Sequence, residues 1–423
     1  MRGRSWKALV GSVAVTMAVS ACGGGSETDG EAAGGGGGTG GGGGGEADLT
    51  IMVDAERTPI METLGQQFGE ENGVTVEVQS IAENVQSQFV TAAQAGEGPD
   101  IVMGAHDWIG NFVQNGAIDP IQLSPEQTAE FNPLAIEGVT FNGQVYGVPF
   151  AVENVVLFRN TDLAPEAPST IEDLVATGQA VVAEGRASEV LALPVGEVGD
   201  PYHIYPLFTS GGGYLFGENP DGSYDPADFG LGSPGSVEAF QKIGALGETG
   251  AGVLKRSITG ENIVNLFGGG DAVYMLSGPW NLAPLAETDV PFEISPVPGF
   301  ADGGPARPFV GVQAMYVASG SDNKTLAQEF ATNYFTNPEI AQQLFEADPR
   351  PPALTAVLEA VQADNPLVAQ VLAAGEGGDI LPAIPEMQAV FDPMGKAEAA
   401  VIGGADVPST ITSAAQTISD AIN

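Results

Sequence analysis

Leu49-Thr50-Ile51-Met52-Val53, Val74-Thr75-Val76-Glu77-Val78 and Asp100-Ile101-Val102-Met103 are three short runs of strand composition, and the chain between them is spaced for helices. Ile60, Leu64 and Phe68 recur across Pro59 to Glu71; Val85, Phe89 and Ala92 recur across Asn84 to Ala95, which ends in the turn Gly96-Glu97-Gly98-Pro99. Strands that alternate with helices in this way argue for an α/β sheet with helices on its faces. Open sheets of that kind take ligands at the carboxyl ends of their strands. Ala105-His106-Asp107-Trp108 stands at such an end, with Asp107 placed to cap a helix over Trp108 to about Gln114.

Further out, Tyr146-Gly147-Val148-Pro149-Phe150-Ala151-Val152-Glu153 is a mostly apolar run that ends in an acid, and burying Glu153 is costly unless it finds partners. A second α/β set starts near Val155: a helix from Ile171 to Glu184, the strand Val190 to Leu193, Gly199-Asp200-Pro201-Tyr202, and a helix to Ser210. Asn219-Pro220-Asp221-Gly222-Ser223-Tyr224 signals a hairpin. Helices are expected over Ser236 to Leu246, Thr259 to Phe267 and Asn323 to Tyr334. Strands are expected over Asp271 to Leu276 and Phe309 to Val317, and the tail from Pro351 is helix-rich. The length after Asp48 suffices for two domains.

Ahead of this lies Arg2, Arg4 and Lys7, a short apolar run, then Val19-Ser20-Ala21-Cys22. That is the layout of a secretory signal, too short to span a bilayer. Val19 to Cys22 resembles the lipobox of bacterial lipoproteins, which implies a signal peptide over 1–21 and a lipid on Cys22; ordinary cleavage near Ala21 is the alternative. From residue 23 to 47 the chain is mostly glycine with a few small or acidic residues, a flexible tether with a random-coil span of about 25–30 Å. Cys22 is the sole cysteine, so no disulfide supports the fold and stability rests on the core.

The net charge is −41 at pH 7, which makes nucleic acid and anionic lipid poor partners for the folded part. Such an excess fits adaptation to salt or a plain solubility device. Catalytic patterns are thin: two histidines, His106 and His203, and no Gly-x-Ser-x-Gly, Walker or His-Glu-x-x-His pattern. Asp221, Ser223, Asp225 and Asp228 are loosely spaced like a calcium loop but lack its glycine and terminal glutamate, and a solvated hairpin explains them as well. What remains is a set of aromatics and carboxylates at strand ends. Sugars offer hydroxyls that carboxylates match and ring faces that stack on aromatic side chains.

In order along the chain, Gly96-Glu97-Gly98-Pro99-Asp100-Ile101 with Ala105-His106-Asp107, Pro149 with Ala151-Val152-Glu153, Asp200-Pro201-Tyr202 with Gly212-Gly213-Tyr214, Ser277-Gly278-Pro279-Trp280, Pro308 to Val312 and Ile384-Pro385-Glu386-Met387 resemble the maltose/maltodextrin-binding proteins of bacterial ABC importers. The resemblance implies a two-lobed α/β fold of the periplasmic-binding type, with crossings near Val152 to Val155, Phe309 to Gln313 and Arg350 to Pro352. One lobe would take 48–152 plus 313–350, the other 153–312 plus 351–423. Carried over residue by residue, the ligand contacts are Glu56, Arg57, Asp107, Trp108, Glu153, Asp200, Tyr202, Trp280 and Phe391. Two departures stand out: Gly104 where the family has a tryptophan, and Trp108 where it has an arginine. The implied function is capture of a malto-oligosaccharide or related α-glucoside for a membrane permease, with no enzymatic activity, cofactor or metal. Contact with the membrane would be through the lipid alone, and the head is expected to be monomeric. Cyclodextrin or trehalose, a lipid-anchored glycosidase, and a receptor of the same architecture for a different solute such as a peptide or polyamine are the alternatives.

Overall fold

Two sheets carry the chain. In the computed structural model, which describes residues 47–220 and 222–422, the first is six-stranded. Leu49–Asp54 pairs in parallel with Val76–Ile81 on one side and Ile101–Ala105 on the other. Phe309–Val317 then runs antiparallel to both Ile101–Ala105 and Gly147–Asn154, and pairs in parallel with Asp379–Ile380. The second sheet orders Phe292–Ser295, Val156–Asn160, Ala272–Ser277 and Glu189–Ala192, the last two parallel. Residues 1–46, on which the expected signal peptide, the lipid on Cys22 and most of the expected tether fall, lie outside the described residues, as does Asp221.

Each sheet has its own apolar core. Leu49, Ile51, Phe68, Phe89, Ile101, Phe112 and Tyr316 belong to one. Val155, Leu157, Leu174, Phe208, Phe240, Val273 and Ile418 belong to the other. The fold is therefore a two-lobed α/β fold; Val152 packs in the first core and Val155 in the second, while Phe309 packs in the second and Val310 in the first. Past the expected crossing at Arg350 to Pro352, the tail still contributes to the first core. Ala353, Leu354, Val357, Leu358, Val361 and Val368 still pack in the first core, and Leu367 is the first hydrophobic residue of the tail to pack beside the second sheet, followed by Val371. The cause is local. Ala353 N–H donates to Phe150 O and Val152 N–H to Pro351 O, which stitches this segment alongside Gly147–Asn154, so the helix Thr355–Asp364 that follows turns its apolar stripe inward there.

Most elements lie where the pattern places them, with three shifts. The second strand is Val76–Ile81, a few residues beyond its expected start. Thr259 to Asn262 forms a capped turn, with Thr259 N–H donating to Asn262 Oδ1, and the helix begins only at Ile263. The helix after Asn323 widens into a π-turn at Phe330–Tyr334. No helix among the described residues is long and apolar enough to cross a membrane.

Candidate functional site

The carboxyl ends of parallel strands from both sheets face one cleft of about 440 Å³, within the ~300–1,000 Å³ range of small-molecule sites. From the first lobe come Gln86, Asp107, Trp108 and Arg350; from the second come Asp200, Tyr202, His203, Trp280 and Phe391; Glu153 and Gly311 lie on the crossing strands. Seven of the nine expected residues thus meet here, and Glu56 and Arg57 do not line it.

The two indoles are seated in the same way. At Gly104, the penultimate residue of Ile101–Ala105, a Cβ would lie 1.8 Å from the Trp108 ring; at Gly278, just past Ala272–Ser277, it would lie 2.1 Å from the Trp280 ring. Each ring folds back over a glycine at a strand end. The Gly104 and Trp108 departures are therefore one arrangement, in which the side chain of 108 fills the space that 104 leaves open. Trp108 meets Phe112 edge-on at 6.0 Å, and Trp280 meets Tyr202 at 6.0 Å and His203 at 5.6 Å.

Glu153 finds the partners its burial requires. Gln313 Nε2 donates to its Oε1 at 2.8 Å and Arg350 Nε to its Oε2 at 2.7 Å. Arg350 also pairs with Asp348 and reaches Glu56 at 3.6 Å. Burial alone would weaken the charge on Arg350, but Glu153, Asp348 and Glu56 outweigh it and hold the guanidinium protonated. Arg57, expected at the ligand, is buried against Asp54 and Asp348 with its guanidinium 5.4 Å from the centre of the Phe150 ring. Its donors face the interior because Asp348 lies there, and Arg350 is the cation that reaches the cleft. Glu56 stays more than half exposed at the edge of this network.

Asp107 is buried, and no salt bridge reaches it among the described residues. It lies inside the turn His106–Trp108, and the helix Ile109–Gln114 has no side-chain cap. Burial pushes its carboxyl up to about 7; its own backbone N–H pulls the other way, and the charge of Glu153 adds to the rise. Tyr202 stacks on Phe309 at 6.0 Å, and its hydroxyl is buried without a hydrogen-bond partner. Burial first, then the nearby Glu153 and Asp107, push that hydroxyl well above the usual tyrosine range. Gln86 Nε2 and His203 Nε2 are likewise buried and unpartnered. Asp200 is otherwise engaged: its Oδ1 caps the helix Pro201–Ser210 by accepting His203 N–H at 3.1 Å, and its Oδ2 lies 2.8 Å from His203 Nδ1. His106 is structural. Val312 N–H donates to its Nδ1 at 3.0 Å and its Nε2 lies 2.8 Å from Leu381 O. Burial lowers its pKa to about 4 against the pull of these two backbone groups, and the neutral ring ties two crossing segments together.

Sequence reasoning missed Gln86, His203, Arg350 and Gln388 as lining residues. Of these only His203 carried a local signal, three residues after an aspartate that precedes a proline, the layout of a helix start. In the hairpin, Asp225 accepts Ala227 N–H and Asp228 accepts the Tyr214 hydroxyl.

A cleft between two cored lobes, walled by aromatics and by hydrogen-bonding groups that lack partners, defines a receptor for a small polar solute. The chain belongs to the bacterial extracellular solute-binding proteins, a family that residues 63–370 match. It is 30% identical over 353 residues to the Maltodextrin-binding protein MdxE of Bacillus subtilis, covering 81% of this chain and 82% of that one. It is 28% identical over 386 residues to the Galactooligosaccharide-binding protein of the same organism, covering 88% of each. Against the Maltooligosaccharide ABC transporter solute-binding lipoprotein of Streptococcus pneumoniae it is 25% identical over 351 residues, 82% of each.

Proposed function

We propose that this chain is the substrate-binding lipoprotein of an ABC importer and that it captures a malto-oligosaccharide or related α-glucoside between its lobes. The observation that carries the reading is the cleft, where an indole from each lobe offers a ring face and the Tyr202 hydroxyl and Gln86 amide lack partners that sugar hydroxyls supply. Trp108, Trp280 and Phe391 stack on the sugar; Asp107 and Tyr202 bond its hydroxyls; Glu153 and Arg350 fix the crossing strands behind it. The charge of the walls, with Asp107, Glu153 and Asp200 facing one guanidinium, favours a neutral ligand over an anionic one. The names of the maltodextrin and malto-oligosaccharide relatives support the same sugar class.

The lobes divide near the crossings at Val152 to Val155 and Phe309 to Gln313, and they close there as hinges. A sugar stabilises the closed form because it touches both walls, and the closed head then meets the permease. Cys22 holds the head on the outer face of the membrane, and the glycine tether lets it turn. The head acts as a monomer and returns its sugar unchanged.

Calorimetry with maltotriose tests this, with chromatography of the sugar after prolonged incubation. Binding with full recovery of maltotriose is expected; cleavage products would make the chain a glycosidase. Trp280→Ala lowers affinity, and an unchanged value would refute the site. The breadth of the match to a galacto-oligosaccharide-binding protein makes a galacto-oligosaccharide the second reading, and tighter binding of a galacto-trisaccharide than of maltotriose would establish it.

A further inference from the structure

The geometry points to His203 as the residue that selects a hydroxyl on the ligand, with Asp200 as the positioning residue that fixes which of its ring nitrogens faces the cleft. This rests on the reading of the cleft as a sugar site. Asp200 is the residue the family resemblance places against the sugar, yet both of its carboxylate oxygens are taken by His203, one by the backbone N–H and one by the ring. The hydrogen-bonding function at this point of the wall passes to the other ring nitrogen. His203 Nε2 is buried, has no partner among the described residues, and belongs to a side chain that lines the cleft.

The aspartate is itself held from behind. Its backbone N–H donates to Glu398 Oε2 at 2.9 Å, and Glu398 is wholly buried in the helix Phe391–Ile402, whose first residue also lines the cleft. Gly199 and Gly395 let the loop press onto that helix, since a Cβ on Gly199 would lie 1.9 Å from Gly395 O. Burial pushes the Asp200 carboxyl up, but the His203 ring and the N–H groups at the helix start outweigh this and hold it below the usual range. An ionised carboxylate only accepts, so the proton between the two groups sits on Nδ1. With Nδ1 so held, Nε2 is the ring nitrogen left for a ligand, and wherever the ring is neutral it presents a lone pair. Trp280 stands edge-on to the ring at 5.6 Å and limits its rotation. The wall thus reads a group that donates, a hydroxyl at one ring position of a neutral sugar, and rejects an analogue that lacks it because Nε2 would stay unpaired.

The test uses the full chain, maltotriose and its monodeoxy derivatives, with calorimetry as readout. For the wild type, removal of one particular hydroxyl weakens binding at least tenfold. His203→Phe binds maltotriose about tenfold more weakly and no longer distinguishes that derivative, whereas His203→Gln, which keeps an acceptor near the place of Nε2, retains much of the preference. In Asp200→Asn the side-chain amide turns the proton onto Nε2, an exchange visible in the ¹⁵N shifts of the ring, and affinity falls without loss of fold. The proposal is overturned if His203→Phe discriminates among the derivatives as the wild type does, or if Asp200→Asn leaves both tautomer and affinity unchanged. Should the phenylalanine variant fail to fold, the glutamine and asparagine variants decide. A wild-type protein that binds neither maltotriose nor a galacto-trisaccharide refutes the sugar reading and this assignment together, an outcome seen before any variant is made.

Discussion

Adding one methyl group at Gly104 should displace the aromatic platform of the first lobe. In Gly104→Ala the new Cβ would stand 1.8 Å from one carbon of the Trp108 ring and within 2.5 Å of two others. Ordinary carbon contacts are about 3.5–4.0 Å, so the ring must retreat by roughly 2 Å. The strand does not yield instead: Ile101–Ala105 is paired on both sides, with Leu49–Asp54 and with Phe309–Val317. The displaced indole loses its edge contact with Phe112, which is worth about 0.5–1.5 kcal/mol, and the protein loses stability by that order. Affinity suffers more. A displaced aromatic anchor costs about 2 kcal/mol, roughly thirtyfold in Kd. The tryptophans are Trp6, Trp108 and Trp280, so in a chain beginning at Cys22 both remaining indoles line the cleft and intrinsic fluorescence reports binding directly. In a Trp108→Ala background the added methyl meets no ring and should cost little more, which gives a large coupling in the double-mutant cycle. Wild-type affinity and emission in Gly104→Ala would refute the reasoning.

Asp107→Asn tests the buried carboxyl. A folded pKa of about 7 lies above the unfolded value of about 4, so the native state holds the proton longer and stability falls as pH rises from about 4 to about 7. Urea melts of the asparagine variant should lack that slope and gain on the wild type by up to a few kcal/mol at pH 8 but not at pH 4; parallel curves would rule it out. Sugar binding that ionises Asp107 should release protons near neutral pH, seen as a dependence of the calorimetric heat on the buffer. Arg350→Met strands Glu153 and Asp348 and should cost about 3–5 kcal/mol, the range for breaking a buried pair, with thermal unfolding as the measure. Arg57→Met should cost a similar amount while leaving sugar affinity within about threefold, and a large loss of affinity at normal stability would return Arg57 to the ligand.

Periodicity alone carried the α/β architecture, because a sheet covered by helices needs an apolar stripe on every strand and helix, and stripes are local. The same logic made Glu153 legible as an acid in need of partners, but not which ones. Arg350 lies 197 positions away, and nothing in a scarce arginine tells whether its charge faces a cleft or, like that of Arg57, an interior aspartate. Core membership was harder for the tail, since the residues that hold 353–368 in the first lobe are backbone groups of Phe150 and Pro351, which leave no trace in composition. The site was legible by residue type and illegible by role. Trp108 lies four residues beyond Gly104, a spacing that lets a ring fold back over a strand end, yet only the missing Cβ shows that it does. Asp200 lies three residues before His203, and its carboxylate serves both the helix start and the ring while it lines the cleft. Resemblance carried the aspartate across as a sugar contact; the hydrogen bonds it makes to His203 tie the two side chains into one unit of the wall, and on our proposal the specificity of the wall is written in the pair.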